Sequence, residues 1–267
     1  MAQEFGLPAT PGAGEKPDPK GVLYLKRPKL LASARGSGTP VPEIVLQSSN
    51  PWLMVVGSDS PSFALYSDGT AIYATKDGYR AVRLTPDEHR ELLEVARTVN
   101  KPALAGWYDM TLATDQPDNS LLLYLDPEPV FIRIYGNLKQ QNIRSALPPA
   151  VDAAFARLTA FSHPRSSPWL PERVEVMVWP YEHSLKPSVH WPDEWPGLKD
   201  SRTVQRGELF SLFVDSKEVP RLRTFLEELP ESSAVEIDGR KWSVGTRLPF
   251  PHEELWMGRN VEMTRAD

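Results

Sequence analysis

The chain of 267 residues contains no cysteine. That absence excludes disulfide staples, thiolate-bound zinc and a cysteine nucleophile, and it leaves the redox compartment open, because a chain without thiols can work in either. No apolar run approaches the ~18 residues of a membrane span. The start, MAQEFGLPATPGAGEKPDPKG, has no hydrophobic segment behind a basic end, so it is not a secretory signal. The expected location is the cytoplasm, with the periplasm or envelope as the alternative for a chain whose leader has been removed. The patterns GxGxxG, GxxxxGK[ST], GxSxG and HExxH are missing, as are EF-hand and zinc-deaminase motifs. Nucleotide-binding, α/β-hydrolase and zincin chemistry therefore lose the features they rest on, and no cofactor, metal or catalytic residue is expected.

Positive charge is outnumbered outside the first forty residues. Those carry Lys16, Lys20, Lys26, Arg27, Lys29 and Arg35 against Glu4, Glu15 and Asp18, a net of +3, so the remainder carries −8 of a total of −5. A body so charged lacks the basic face that nucleic acid requires, and a protein with a basic surface is the expected partner.

Proline is plentiful. The 27 prolines are about twice the usual ~5% share, which implies many turns, edges and loops. Residues 1–40 hold six prolines and six glycines with little apolar periodicity beyond VLYL at Val22–Leu25, the composition of a flexible tail with VLYL as the one segment able to pin it as an edge strand.

From Glu43 the pattern changes. EIVLQ and WLMVV read as strands, and FALYSDGTAIYA as a hairpin about Asp68-Gly69, where Asp-Gly supplies the positive φ angles of a tight turn. Thr85-Pro86-Asp87-Glu88 opens a helix with a capping box and a proline at the first helical position, and Leu92, Leu93, Ala96 and Val99 give its buried stripe. LLLYL and VFIRIY form a second hairpin, and Pro148-Pro149 open a helix with Val151, Ala154, Phe155, Leu158 and Phe161 at helical spacing. After the linker-like SHPRSSPW come RVEVMVW, GELFSLFV, a helix beginning near Asp215 and a hairpin about Asp238-Gly239. The expected fold is α+β, with two small modules of antiparallel hairpins and sheets, each packed by one or two helices. Their expected limits are a flexible tail over 1–40, one module over 41–162 and another over 168–258.

The succession FALYSDGTAIY, TPDEHRELLEVA, ATDQPDNSLLLYL, VFIRIYGN and LPPAVDAAFARL, over about residues 60–161, resembles a family of uncharacterised bacterial α+β domains. The resemblance implies a fold and a bacterial origin, and no reaction.

Two constellations bear on function. EHSLKPSVHWPDEW and FPHEEL supply Glu182, His183, His190, Asp193, Glu194, His252, Glu253 and Glu254, types that could build a metal or acid–base site if brought together. The six residues between His183 and His190 are not a ligand spacing, and loop polar groups beside aromatic packing explain the set equally well. Asp115 and Asp118 in ATDQPDNS fit turn chemistry without a ligand. Half of the eight tryptophans fall between Trp169 and Trp195. Trp179 and Trp242, on strands, read as core. Trp191 and Trp195, flanked by prolines, read either as a lid on the core or as a stiff surface presented to a partner.

The function expected from these features is a bacterial interaction protein, most concretely an immunity-type protein that blocks a cognate toxin or enzyme. Its expected contact residues are Trp191, Trp195, Asp193, Glu194, Glu182 and His190. The alternatives are a tethered envelope-associated ligand-binding domain and a metal-assisted hydrolase using His183, His190, His252 and nearby Glu residues.

Overall fold

The computed structural model describes residues 17–264 except 54, 56, 258 and 259. It is mixed α+β, with strands dominating: 16 strands in three sheets and five α-helices among the described residues. The chain forms two compact units, Met1–Ser49 with Pro61–Ser167 and Pro251–Asp267, and Asn50–Ser60 with Pro168–Phe250.

The first unit runs β1 (Val22–Leu25), α1 (Pro28–Gly36), β2 (Pro42–Ser49), β3 (Phe63–Tyr66), β4 (Thr70–Thr75), β5 (Gly78–Arg83), α2 (Pro86–Val99), β6 (Gly106–Asp109), β7 (Asp118–Leu123), β8 (Val130–Tyr135), α3 (Gln141–Ala146), α4 (Pro149–Thr159) and β9 (Ser167–Pro168). The second holds β10 (Arg173–Pro180), β11 (Val189–His190), β12 (Val204–Arg206), β13 (Leu209–Asp215), α5 (Val219–Glu227), β14 (Val235–Ile237) and β15 (Arg240–Arg247), after which β16 (Val261–Thr264) returns to the first.

In the first unit an eight-stranded sheet has the order β6-β8-β7-β2-β3-β4-β5-β9. Ile44, Leu46, Leu121, Leu123, Ile132 and Ile134 alternate onto one face and meet Leu92, Ala96 and Val99 of α2 and Val151, Ala154, Phe155 and Leu158 of α4. The intervening Val45, Leu122 and Phe131 are buried too. Cover on both faces is why LLLYL and VFIRIY are continuous apolar runs rather than alternations. The α2 capping box is complete: Glu88 N–H donates to Thr85 Oγ1 at 3.3 Å and Thr85 N–H donates to Glu88 Oε2 at 2.8 Å. At the β3–β4 turn Gly69 has φ 82° and Asp68 Oδ1 accepts from Thr70 N–H at 2.9 Å, the geometry that Asp-Gly favours.

The described part of the expected tail is folded. β1 pairs antiparallel with β16, Leu23 opposite Met263 and Leu25 opposite Val261, α1 follows, and Leu23, Leu25, Leu31 and Ala34 are buried. Four alternating residues whose partner strand lies at the other end of the chain carry almost no local signal, which is why composition alone suggested a tail. Residues 1–16 lie outside the described residues.

In the second unit a six-stranded sheet has the order β11-β14-β15-β10-β13-β12. Val174, Val176 and Val178 alternate onto the face that carries Leu222 of α5, Trp242 and the Trp191–Trp195 loop. On the opposite face Glu175 and Arg247 form a buried ion pair. Gly245 lies against the Asn50–Ser60 excursion, where a Cβ would meet Val55 Cβ and Ser58 Oγ at 2.9 Å. The expected limits 41–162 and 168–258 thus differ from the compact units in two places, since residues 50–60 join the second unit and residues from Pro251 return to the first. The strand expected for WLMVV is also corrected in its described part. Asn50 Oδ1 accepts from Trp52 N–H at 3.0 Å, holding a turn whose Trp52 is 75% exposed; Met54 and Val56 lie outside the described residues.

Candidate functional site

The segment HWPDEWPGL leaves the second sheet at its edge. Val189 and His190 form β11, parallel to β14, and Trp191 N–H extends that pairing to Glu236 O at 3.0 Å. The chain then turns on Pro192, whose carbonyl accepts from Trp195 N–H at 3.0 Å, and this turn brings the two indoles onto the same side. Their ring centroids lie 4.9 Å apart, and both rings stand edge-on to Phe225 of α5, at 5.5 Å and 5.6 Å. The indole donors are satisfied within the fold, Trp191 Nε1 on Pro196 O at 3.1 Å and Trp195 Nε1 on Glu218 Oε2 at 3.4 Å. The two side chains are 3% and 5% exposed. This corrects the expectation of tryptophan contact residues: both indoles are core, drawn inward because Phe225 and the sheet offer edge-to-face partners and apolar cover.

The polar residues between them remain outside. Asp193, with a side chain 92% exposed, meets the His190 ring, with Nε2 at 2.9 Å from Oδ1. Glu194 is exposed and pairs with Arg221 of α5, whose guanidinium also lies 5.2 Å above the Trp195 ring. A hydrogen bond from its own backbone and then the Arg221 contact hold the Glu194 carboxyl below the usual range. Glu182 lies 3.6 Å from Arg240, which in turn covers Trp242 at 4.7 Å.

Beside this loop is a recess of about 410 Å³ whose wall adds Asp200, Glu236 and Asp238 to Asp193 and Glu194, against Lys199 and Arg202. Asp238 Oδ2 accepts from Leu198 N–H at 2.8 Å, and Glu236 Oε2 accepts from Ser188 Oγ at 3.2 Å. Arg202 bonds Asp200 at 3.1 Å and lowers its carboxyl pKa. The recess therefore carries a surplus of carboxylate charge on a rigid aromatic base, an arrangement suited to receiving a cationic group.

The His and Glu residues that could build a site if brought together are divided between the two units. His183 is exposed and belongs with His190 to the second unit, whereas His252 belongs to the first, bonded to Thr39 and Glu254. Among the described residues no group of three His, Asp or Glu is arranged to hold a metal. Asp118 is engaged by Arg133 at 2.7 and 2.8 Å, and Asp115 occupies a left-handed turn position with φ 57°. Sequence reasoning missed Asp200, Glu236 and Asp238 as wall residues and Arg221 and Arg240 as ion partners. Asp238 was visible only as a turn residue, and helical spacing gave no cue that Arg221 faces the loop. Comparison with family models, with curated proteins and with solved structures finds no match, so the resemblance over residues 60–161 carries no functional weight.

Proposed function

We propose that the chain is a protein-interaction protein, most concretely an immunity-type inhibitor that engages a basic surface of a cognate toxin or enzyme through the Asp193 recess. The supporting observation is the exposed Asp193 carboxylate on a loop whose two tryptophans are locked against Phe225. A loop already held in shape loses little conformational entropy on binding, and unneutralised exposed carboxylates steer a basic partner and reject an acidic one. Glu194 and Glu182, being paired with Arg221 and Arg240, contribute less attraction and more orientation.

The test is Asp193→Lys/Glu194→Lys. Proteins crosslinked to the wild-type chain in its native lysate are identified, produced separately and titrated against both forms at low and high salt. The double variant should bind at least about tenfold more weakly, chiefly through slower association, and its affinity should respond less to salt. Equal affinity and equal salt dependence in the two forms would refute the assignment of the recess.

A further inference from the structure

A second constellation lies in the first unit, independent of the recess. The loop after α1 carries Ser37 and Thr39, and the turn after Pro251 carries His252 and Glu254. Ser37 Oγ lies 2.6 Å from Thr39 Oγ1, Thr39 Oγ1 lies 2.9 Å from His252 Nε2, and His252 Nδ1 lies 3.3 Å from Glu254 Oε1. The result is a continuous chain of hydroxyl, imidazole and carboxylate assembled from the two ends of the sequence. Tyr66 fixes the approach to the histidine, donating from its hydroxyl to Pro251 O at 3.1 Å. His252 itself adopts φ 59°, a conformation uncommon for a side chain of its size.

Counting protons gives the chain a direction. With a neutral imidazole, Nδ1–H donates to the Glu254 carboxylate, which leaves Nε2 as an acceptor facing the Thr39 hydroxyl. Ser37 O–H donates to Ala34 O at 2.7 Å and Ser37 Oγ accepts from Thr39 N–H at 3.3 Å, so the hydrogen of Thr39 Oγ1 lies between two acceptors, Ser37 Oγ and His252 Nε2. After the Thr39 proton has moved to Nε2, the imidazolium donates from both nitrogens, to Thr39 Oγ1 and to Glu254. The contacts of both imidazole nitrogens are satisfied before and after transfer, the requirement for a general base acting on a hydroxyl. Thr39 is exposed, and a Cβ added at Gly36 or Gly38 would meet nothing within 4 Å. There is open space beside the hydroxyl for an incoming acyl group.

We propose that Thr39 is the nucleophile of an acyl-transfer site, with His252 as its base and Glu254 as the positioning residue, acting on small activated esters. Thr39 Oγ1 bonds to the acyl carbon as the bond from that carbon to the alcohol oxygen breaks. The Thr39 proton passes to His252 Nε2 and on to the leaving alkoxide. Water then attacks the acyl-threonine, its proton passing through the same nitrogen back to Thr39 Oγ1, so that ester and water become acid and alcohol.

The probe is 4-nitrophenyl acetate on the full chain. Nitrophenolate release is followed by absorbance, and the acetyl group is located by peptide mass spectrometry after acid quench. Acetyl should be found on Thr39. Thr39→Ala and His252→Asn should each slow turnover roughly 10²-fold or more, while Thr39→Ser retains it. Asn tolerates the left-handed backbone at residue 252 and has no basic nitrogen, and thermal melting confirms that each variant folds. Glu254→Gln should lower kcat and leave KM unchanged, a split that loosened packing would not give. Acetyl found only elsewhere or nowhere, or turnover within about threefold of wild type in Thr39→Ala or His252→Asn, overturns the proposal.

Discussion

Trp191→Ala distinguishes a core indole from a contact indole most directly. The side chain is 3% exposed and lies edge-on to Trp195 and Phe225. Truncating a buried tryptophan costs about 3–5 kcal/mol through lost transfer energy and the cavity left behind. The lost aromatic pairs, at about 0.5–1.5 kcal/mol each, lie largely within that figure. Loss of the Nε1 donor leaves Pro196 O without this partner, a further ~1 kcal/mol if water does not replace it. The expected loss is therefore about 4 kcal/mol. With a urea slope of ~2 kcal/mol/M, the unfolding midpoint of the second unit should fall by about 2 M. Trp52→Ala in the same unit is the matched control: that side chain is 75% exposed, and its removal should change stability by no more than about 0.5 kcal/mol. Urea titrations of both variants and of the wild type, followed by far-ultraviolet circular dichroism, make the comparison. A Trp191→Ala midpoint within about 0.3 M of wild type would refute the reasoning and return the indole to the surface.

Two further outcomes follow from buried and hydrogen-bonded charge. Glu88 has its carboxyl held down to about 2, first by the Thr85 backbone N–H and then by His163 and Arg165. A depressed folded-state pKa gives stability that is present above the usual value near 4.5 and is lost as pH falls through about 2. Glu88→Gln should flatten the fall of stability between those two pH values, as read from denaturation midpoints across that range; an unchanged slope would count against the contact. Glu175 and Arg247, each with a side chain only 2% exposed, present the opposite case. Glu175→Ala leaves a guanidinium in the interior and should cost about 3–5 kcal/mol by chemical denaturation, whereas Glu175→Met/Arg247→Met should recover much of that loss.

Local chemistry was legible in the sequence because it acts over a few residues. The Thr85–Glu88 capping box, the Asp68-Gly69 and Asp238-Gly239 turns and the apolar stripe of α4 each follow from dihedral preference or helical spacing within a single element, and the structure contains all of them. The α+β class follows from the same signals. What pairs across the chain had no such signature. β1 meets β16 from the opposite terminus, Asn50–Ser60 joins the second unit through a gap that only Gly245 leaves open, and Thr39 meets His252 across 213 positions. The tryptophan loop marks the division most sharply. Its prolines and aromatics announced a stiff, unusual segment, but whether the indoles faced in or out depended on Phe225, some thirty residues downstream on α5. Burial is a property of the partners that tertiary packing supplies, and periodicity along one strand of text has no access to it. Composition therefore determined that an acidic body with a rigid aromatic loop exists, and packing alone decided that its carboxylates, and not its tryptophans, reach solvent.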